Sequence, residues 1–172
     1  MCTSWHSRSP HVPAHDDRVI NERTPETENT ARHDGSGRAG PTDLTAALAG
    51  FDDLWSPRIV TRVNDYDVRI AKVAGEHLWH AHDHTDEFFM VLEGELHIAL
   101  RDGEPGEERV VVLPRGSVFV VPRGVEHKPS SAQGASLLLF EPSGTLTVGD
   151  RHDPVPAHVD VTTGHALGAP AA

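Results

Sequence analysis

Apolar positions recur with a helical period in only one stretch of the chain. In "TDLTAALAGFDDLWSP" the residues Leu44, Leu48, Phe51 and Trp55 follow one another at steps of four, three and four, which places them on one stripe of a helix. Thr42 or Asp43 can cap that helix at its start, and Pro57 ends it. From Ile59 onward the pattern changes to short runs of Val, Ile, Leu and Phe: "RIVTRV", "YDVRIAKV", "EFFMVLEGELHIALR", "ERVVVLP", "SVFVVP" and "ASLLLFEP". Gly, Pro, Asp and Asn separate these runs, as they separate strands. "NDY" and "RDGEPGEE" read as hairpin connections. Many short strands with no helix between them predict an all-β sandwich or barrel, with one short N-terminal helix laid against it.

The two ends lack this patterning. Residues 1–41 are mostly Ser, Thr, Pro, His, Arg, Asp, Glu and Gly with isolated apolar positions, too few to offset the entropy of ordering a chain. They are expected to form a disordered tail. The "GSGRAG" within it has the glycines of a phosphate-binding turn, but no apolar strand precedes it and Pro41 follows, so the required context is missing. The folded unit is expected over 42–150, and the small and polar residues of 151–172 suggest a loosely ordered C-terminal tail.

At 172 residues the chain has the length of one domain with a real core. Its formal net charge of -11 argues against nucleic acid or an anionic membrane surface as a partner. With Cys2 as the single cysteine no internal disulfide is possible. No apolar run approaches the roughly 20 residues that span a bilayer, and the N-terminal stretch lacks the apolar core of a signal peptide. The expectation is a soluble cytoplasmic protein.

Candidate chemistry is concentrated in "WHAHDHTDEFF", residues 79–89. On a strand His80, His82 and His84 can share a face, and Glu87 is the natural carboxylate to join them. Thirteen histidines in the chain make a polar surface loop the competing reading. A partner far along the chain shifts the balance. "GSVFVVPRGVEHKPS" places His127 after a tight turn, where a new strand would begin, and it can complete a set of three His and one Glu. Such nitrogen and oxygen donors suit a divalent Fe, Mn, Ni, Zn or Co ion.

Here the sequence resembles the cupins, small metal-binding β-barrels of the jelly-roll type. Their first motif is matched by Gly75, His80-Ala-His82, then four residues to Glu87 and six to Gly94. Their second is matched by Gly116, five residues to Pro122, Gly124, two to His127 and three to Ser131. The spacer between Gly75 and His80 is one residue short of the usual five, and Ser131 stands where the family closes on Asn. The resemblance covers roughly 43–150 and implies a double-stranded β-helix holding one divalent transition metal through His80, His82, Glu87 and His127. His84 then becomes a neighbour. A rival set of His82, His84 and Glu87 leaves only two residues before the Glu, below the family's range.

Three His and one Glu occupy four positions of an octahedral ion and leave two open, which suggests catalysis on a small, oxygen-rich molecule by an oxygenase or an isomerase. The alternative is a module that binds metal or a small ligand without turnover. Phe89, Phe119, Phe140 and Trp79 are the aromatic candidates for pocket walls, and Lys72 is the candidate inward cation. His77 and His97 read as surface residues, and Asp83 and Asp86 as turn residues or as acceptors that orient a ligand imidazole. The exposed edges of a small barrel favour a homodimer.

Overall fold

The computed structural model describes residues 40–168. Residues 1–39 and 169–172, including almost all of the expected N-terminal tail, lie outside the described residues.

Asp43 caps the helix as anticipated: its Oδ1 accepts from the backbone N–H groups of Thr45 and Ala46 at 2.9 and 3.1 Å. The helix, α1, is short, Leu44–Ala49, and Gly50 closes it. The apolar stripe therefore leaves the helix before Phe51. Trp55 reaches the core by another route, in a left-handed backbone conformation at φ 53°. Its indole nitrogen donates to the carbonyl of Ala74 at 2.8 Å. The polar break "GFDD" ends α1 earlier than Pro57, because the Trp anchor and a strand-like bridge from Leu54 to Lys72 fix an extended chain there.

The strands are β1 Arg58–Val63, β2 Tyr66–Glu76, β3 His80–Ala81, β4 Glu87–Arg101, β5 Arg109–Pro114, β6 Val118–Val121, β7 Glu126–Pro142, β8 Arg151–His152 and β9 His165–Ala166. They belong to one sheet whose principal path is β5-β4-β7-β2-β1-β9, with β6 on β4, and β3 between β7 and β8. Pairing is antiparallel throughout except at β1 with β9. The jelly-roll sheet is folded over its core but not hydrogen-bonded into a closed barrel.

The long strand β4 makes the folding-over possible. Its first half pairs with β6 and its second with β5, and the register against β7 shifts between Gly94 and His97. Gly94 sits at φ 76°, and a Cβ there would run into the carbonyl of Gly134 on β7. A glycine is required for both reasons, conformation and close approach. Strand alternation then sends Val91, Leu96, Ile98 and Leu100 inward to meet Leu113, Val121 and Leu137.

The end of the chain departs from the sequence reading. Residues 151–168 are not a loose tail. β8 pairs with β3, β9 pairs with β1, and Val159 is buried in the core at 6% exposure. Ser56 donates to Asp160 Oδ2 at 2.7 Å, and the ring nitrogen of His165 lies 2.6 Å from the same oxygen. Composition misled here, since a few well-placed anchors hold a polar segment. No described helix is long and apolar enough to cross a membrane.

Candidate metal centre

Three stretches of chain bring four donors together. His80 and His82 lie on and just after β3, Glu87 opens β4, and His127 lies near the start of β7 directly opposite His80 in the ladder. Alternation puts His80 and His82 on one face with the fully buried Ala81 behind them. The turn between His82 and Glu87 is tied down from outside. Gly124 donates to the His82 carbonyl at 2.7 Å, and Asp83 N–H donates to Asp150 at 2.7 Å. Asp83 also accepts from Arg151 at 2.9 Å, and Asp86 accepts twice from Arg123. These two acids work on the turn, not on the imidazoles.

Ligand atoms of His80, His82, Glu87 and His127 all lie within 4.8 Å of one another, and all four residues are buried. Glu87 Oε2 stands 2.7 Å from His127 Nε2, 3.3 Å from His82 Nε2 and 3.8 Å from His80 Nε2. One carboxylate oxygen thus converges on three ring nitrogens. Behind the rings, His80 Nδ1 donates to the Leu78 carbonyl and His127 Nδ1 to the Val125 carbonyl, each at 3.1 Å. A carbonyl only accepts, so Nδ1 carries the proton on both rings, and a ring that is neutral turns a bare Nε2 to the centre. His80 Nε2 and His82 Nε2 are buried and have no hydrogen-bond partner. Such orphans are costly unless something else pairs with them, and a divalent ion is what this donor set fits.

Electrostatics agree with that fit at His80, while at His82 a proton competes with an ion for the ring. Burial, and then the neighbouring His127, push the His80 imidazole well below its ordinary value, which favours the neutral ring a metal needs. Burial acts the same way on His82, but the charge of Glu87, 3.3 Å away, outweighs it and holds that ring up at about 9. Burial also opposes ionisation of Glu87, yet the charges of His82 and His127 hold its carboxyl well below the usual range. This is a carboxylate kept ionised in the interior by the imidazoles it faces.

Two of the donors, His80 and Glu87, line a cavity of about 40 Å³, and His82 and His127 stand outside its lining. Phe89 lines it, whereas Phe119 and Phe140 do not. Phe119 is partly buried against the core, and Phe140 stacks on Tyr66 at the outer face. Trp79 lies under the Arg101 guanidinium, 3.7 Å from its ring centre. Lys72 is not an inward cation: its Nζ donates to the Phe51 carbonyl at 2.6 Å. The inward cation is Arg69, which lines the cavity with Glu141. Strand parity contained this signal, because Arg69 alternates with the apolar Ala71 and Val73, and Glu141 with Leu137 and Leu139, while Lys72 and Phe140 have the opposite parity.

His77 is a second departure. It is 8% exposed and lines the cavity, with its ring 4.9 Å from that of His80 and 5.0 Å from that of Trp55. No metal-ligand spacing marked it in the sequence. Burial lowers it to about 4. His84 is exposed and outside the cluster, which leaves the rival set of His82, His84 and Glu87 without its middle member. His97 is at the surface against Glu95. Ser131, in place of the closing Asn, is buried and donates to the Glu95 carbonyl at 2.8 Å.

The family model described as a cupin domain matches residues 66–141. The crystal structure of a cupin-2 domain protein from Shewanella frigidimarina is 39% identical and superposes with a TM-score of 0.54, over 59% of this chain and 93% of that one. An uncharacterized protein of Bacillus subtilis, YdbB, is 40% identical over 72 residues, 42% of this chain and 59% of that protein. A 3-hydroxyanthranilate 3,4-dioxygenase of Brucella anthropi is 34% identical over 62 residues, 36% of this chain and 34% of the enzyme. The match thus spans less than two thirds of either curated relative.

Proposed function

The chain belongs to the cupin family, of the cupin-2 type, and on that premise we propose that it is a mononuclear metal enzyme, of oxygenase or isomerase type, acting on a small oxygen-bearing molecule. The observation that carries this reading is the pair of buried, unpartnered ring nitrogens, His80 Nε2 and His82 Nε2, beside the Glu87 carboxylate. His80, His82, Glu87 and His127 would hold one divalent ion, of Fe, Mn, Ni, Zn or Co. When bound, that ion would supply Lewis acidity toward a substrate oxygen or, as Fe(II), the means to activate dioxygen.

The chain's own residues do the rest. The Leu78 and Val125 carbonyls fix two rings in one tautomer. Glu87 offsets the charge of the ion, and the apolar walls of the cavity, Val73, Phe89 and Leu139 among them, exclude water. A barrel with this much apolar core does not need an ion to fold, which favours catalysis over a structural site. The likeness to a dioxygenase supports the oxygenase branch.

Metal analysis tests the reading. About one equivalent of a divalent transition metal per chain is expected, lost in His80→Ala and kept in His84→Ala. With Fe(II), dioxygen uptake should depend on a diketone, catechol or keto-sugar substrate. A metal saturated by protein side chains, with no turnover on any of these, would establish the alternative of a non-catalytic binding module.

We infer further that the protein is a homodimer. Phe88 and Met90 of β4 lie between Val120 and Val118 of β6 on one side and Phe140 and Leu138 of β7 on the other. Val118 and Val120 are 59% and 47% exposed, an apolar outer face that a two-fold copy would cover. Light scattering should give twice the chain mass at micromolar concentration, and Val120→Lys should shift it toward the monomer.

A further inference from the structure

The cavity's polar groups are arranged to accept hydrogen bonds and to turn anions away. About 40 Å³ is room for roughly three waters, taking on the order of 10–15 Å³ for each, so the occupant is a molecule of few heavy atoms. Among the described lining residues Arg69 supplies the guanidinium, and its charge is already committed. Nη1 donates to Glu141 Oε2 at 2.6 Å and to the Thr145 carbonyl at 3.1 Å, and Nη2 lies 3.5 Å from Asp67 Oδ2. Its Nε has no partner, but it lies against the C-terminal segment, where a Cβ on Gly164 would come within 3.4 Å.

An incoming carboxylate would therefore meet a guanidinium shared between two acidic side chains, with Glu87 on the wall of the same cavity. Glu141 is 3% exposed, and the contact with Arg69 uses its Oε2, while its Oε1 makes no hydrogen bond among the described residues. His77 adds a buried Nδ1 without a partner. A buried polar atom left unpaired, as this ring nitrogen is, calls for a ligand that pairs with it.

Resting on the metal-enzyme reading, we propose that the site takes a short, uncharged hydroxy-carbonyl compound, and that Glu141 is the specificity-determining residue. Its free oxygen accepts the substrate hydroxyl, while its other oxygen keeps Arg69 from recruiting a carboxylate. Burial, and then the charge of Glu87, lift the Glu141 carboxyl to about 8 against the pull of Arg69, so its hold on Arg69 as a carboxylate is expected in the metal-loaded protein, where an ion would offset the Glu87 charge.

The test uses hydroxyacetone and glycolate, a neutral molecule and an anion with equal numbers of non-hydrogen atoms, titrated calorimetrically into the metal-loaded and metal-free full-length protein. Hydroxyacetone should bind the metal-loaded form. Glu141→Gln, which weakens the grip on Arg69, should move the affinity ratio toward glycolate by about tenfold or more, the scale of one charge-assisted hydrogen bond. The double variant Arg69→Met/Glu141→Leu replaces the buried pair with apolar groups, a change that proteins often tolerate. It should lose the hydroxyacetone preference without gaining glycolate. No hydroxyacetone binding to the metal-loaded protein, or a ratio that moves less than about threefold in Glu141→Gln, overturns the proposal. Equal binding with and without metal would sink the metal reading instead, and leaves the ratio between the two ligands to decide the role of Glu141.

Discussion

Asp67 shows how much one buried side chain carries in this small domain. Its Oδ1 accepts from Arg62 Nε at 2.8 Å and from Ser143 Oγ at 2.7 Å, and its Oδ2 faces Arg69. Burial opposes its ionisation, but these partners outweigh burial and lower the carboxyl from its ordinary 3.8. A folded-state value below the unfolded one means that the stabilisation is present above about pH 4. It is lost as pH falls toward the folded value. Asp67→Asn should therefore cost roughly 2–3 kcal/mol at neutral pH, since it leaves Arg69 short of a partner. Urea titrations between pH 3 and pH 7 check this: the deficit should shrink toward the acid end, and a constant deficit would rule out the charge as its source. The clustered donors His80, His82, Glu87 and His127 could be read from motif spacing, because a metal site demands particular residue types at particular separations. His77 could not, because a lone buried histidine has no such signature.

At the level of strands, β3 is only two residues long and needs help to hold His80 and His82 in place. Part of that help is Gly149, at φ 70°, whose missing Cβ leaves room for the Ala81 backbone. Asp150 N–H donates to the Ala81 carbonyl at 2.9 Å from the next position. Gly149→Ala adds both a left-handed penalty of about 1 kcal/mol and a clash with the Ala81 backbone between His80 and His82. We expect at least a tenfold loss of metal affinity, with the fold retained by circular dichroism; unchanged metal content would show that β3 is positioned by its ladder alone. The strands themselves were visible as apolar runs. The early end of α1 was not, because the period of Leu44, Leu48, Phe51 and Trp55 suits a helix equally well, and only the contact of Trp55 with Ala74 chooses the extended path.

Across the whole domain, the C-terminal segment is the element that composition misjudged. It closes the sheet edge at β1 through β9, extends β3 through β8, and plugs Val159 into the core. Ending the chain at Asp150 removes all three. Burial of one Val contributes about 1.5–3 kcal/mol, so the truncated protein should melt on the order of 5–10 °C lower, as differential scanning calorimetry would show. An unchanged midpoint would mean that the segment is held without contributing to stability.

The amino-acid pattern alone specified an all-β sandwich or barrel and its turns, and the resemblance of its motifs to a family picked out the four residues that cluster in the candidate metal centre. Those are local or periodic properties: alternation, Gly and Pro at turns, and donors at defined spacings. Folding was needed to show what faces the centre from across the sheet. Arg69 and Glu141 are 72 residues apart and become a cavity-lining pair only because β2 and β7 are neighbours in register. Lys72 and Phe140 differ from them by little in composition, but strand parity turns them outward. Which face of a strand is the inner one depends on what the rest of the chain packs against it, and no single run of residues contains that information.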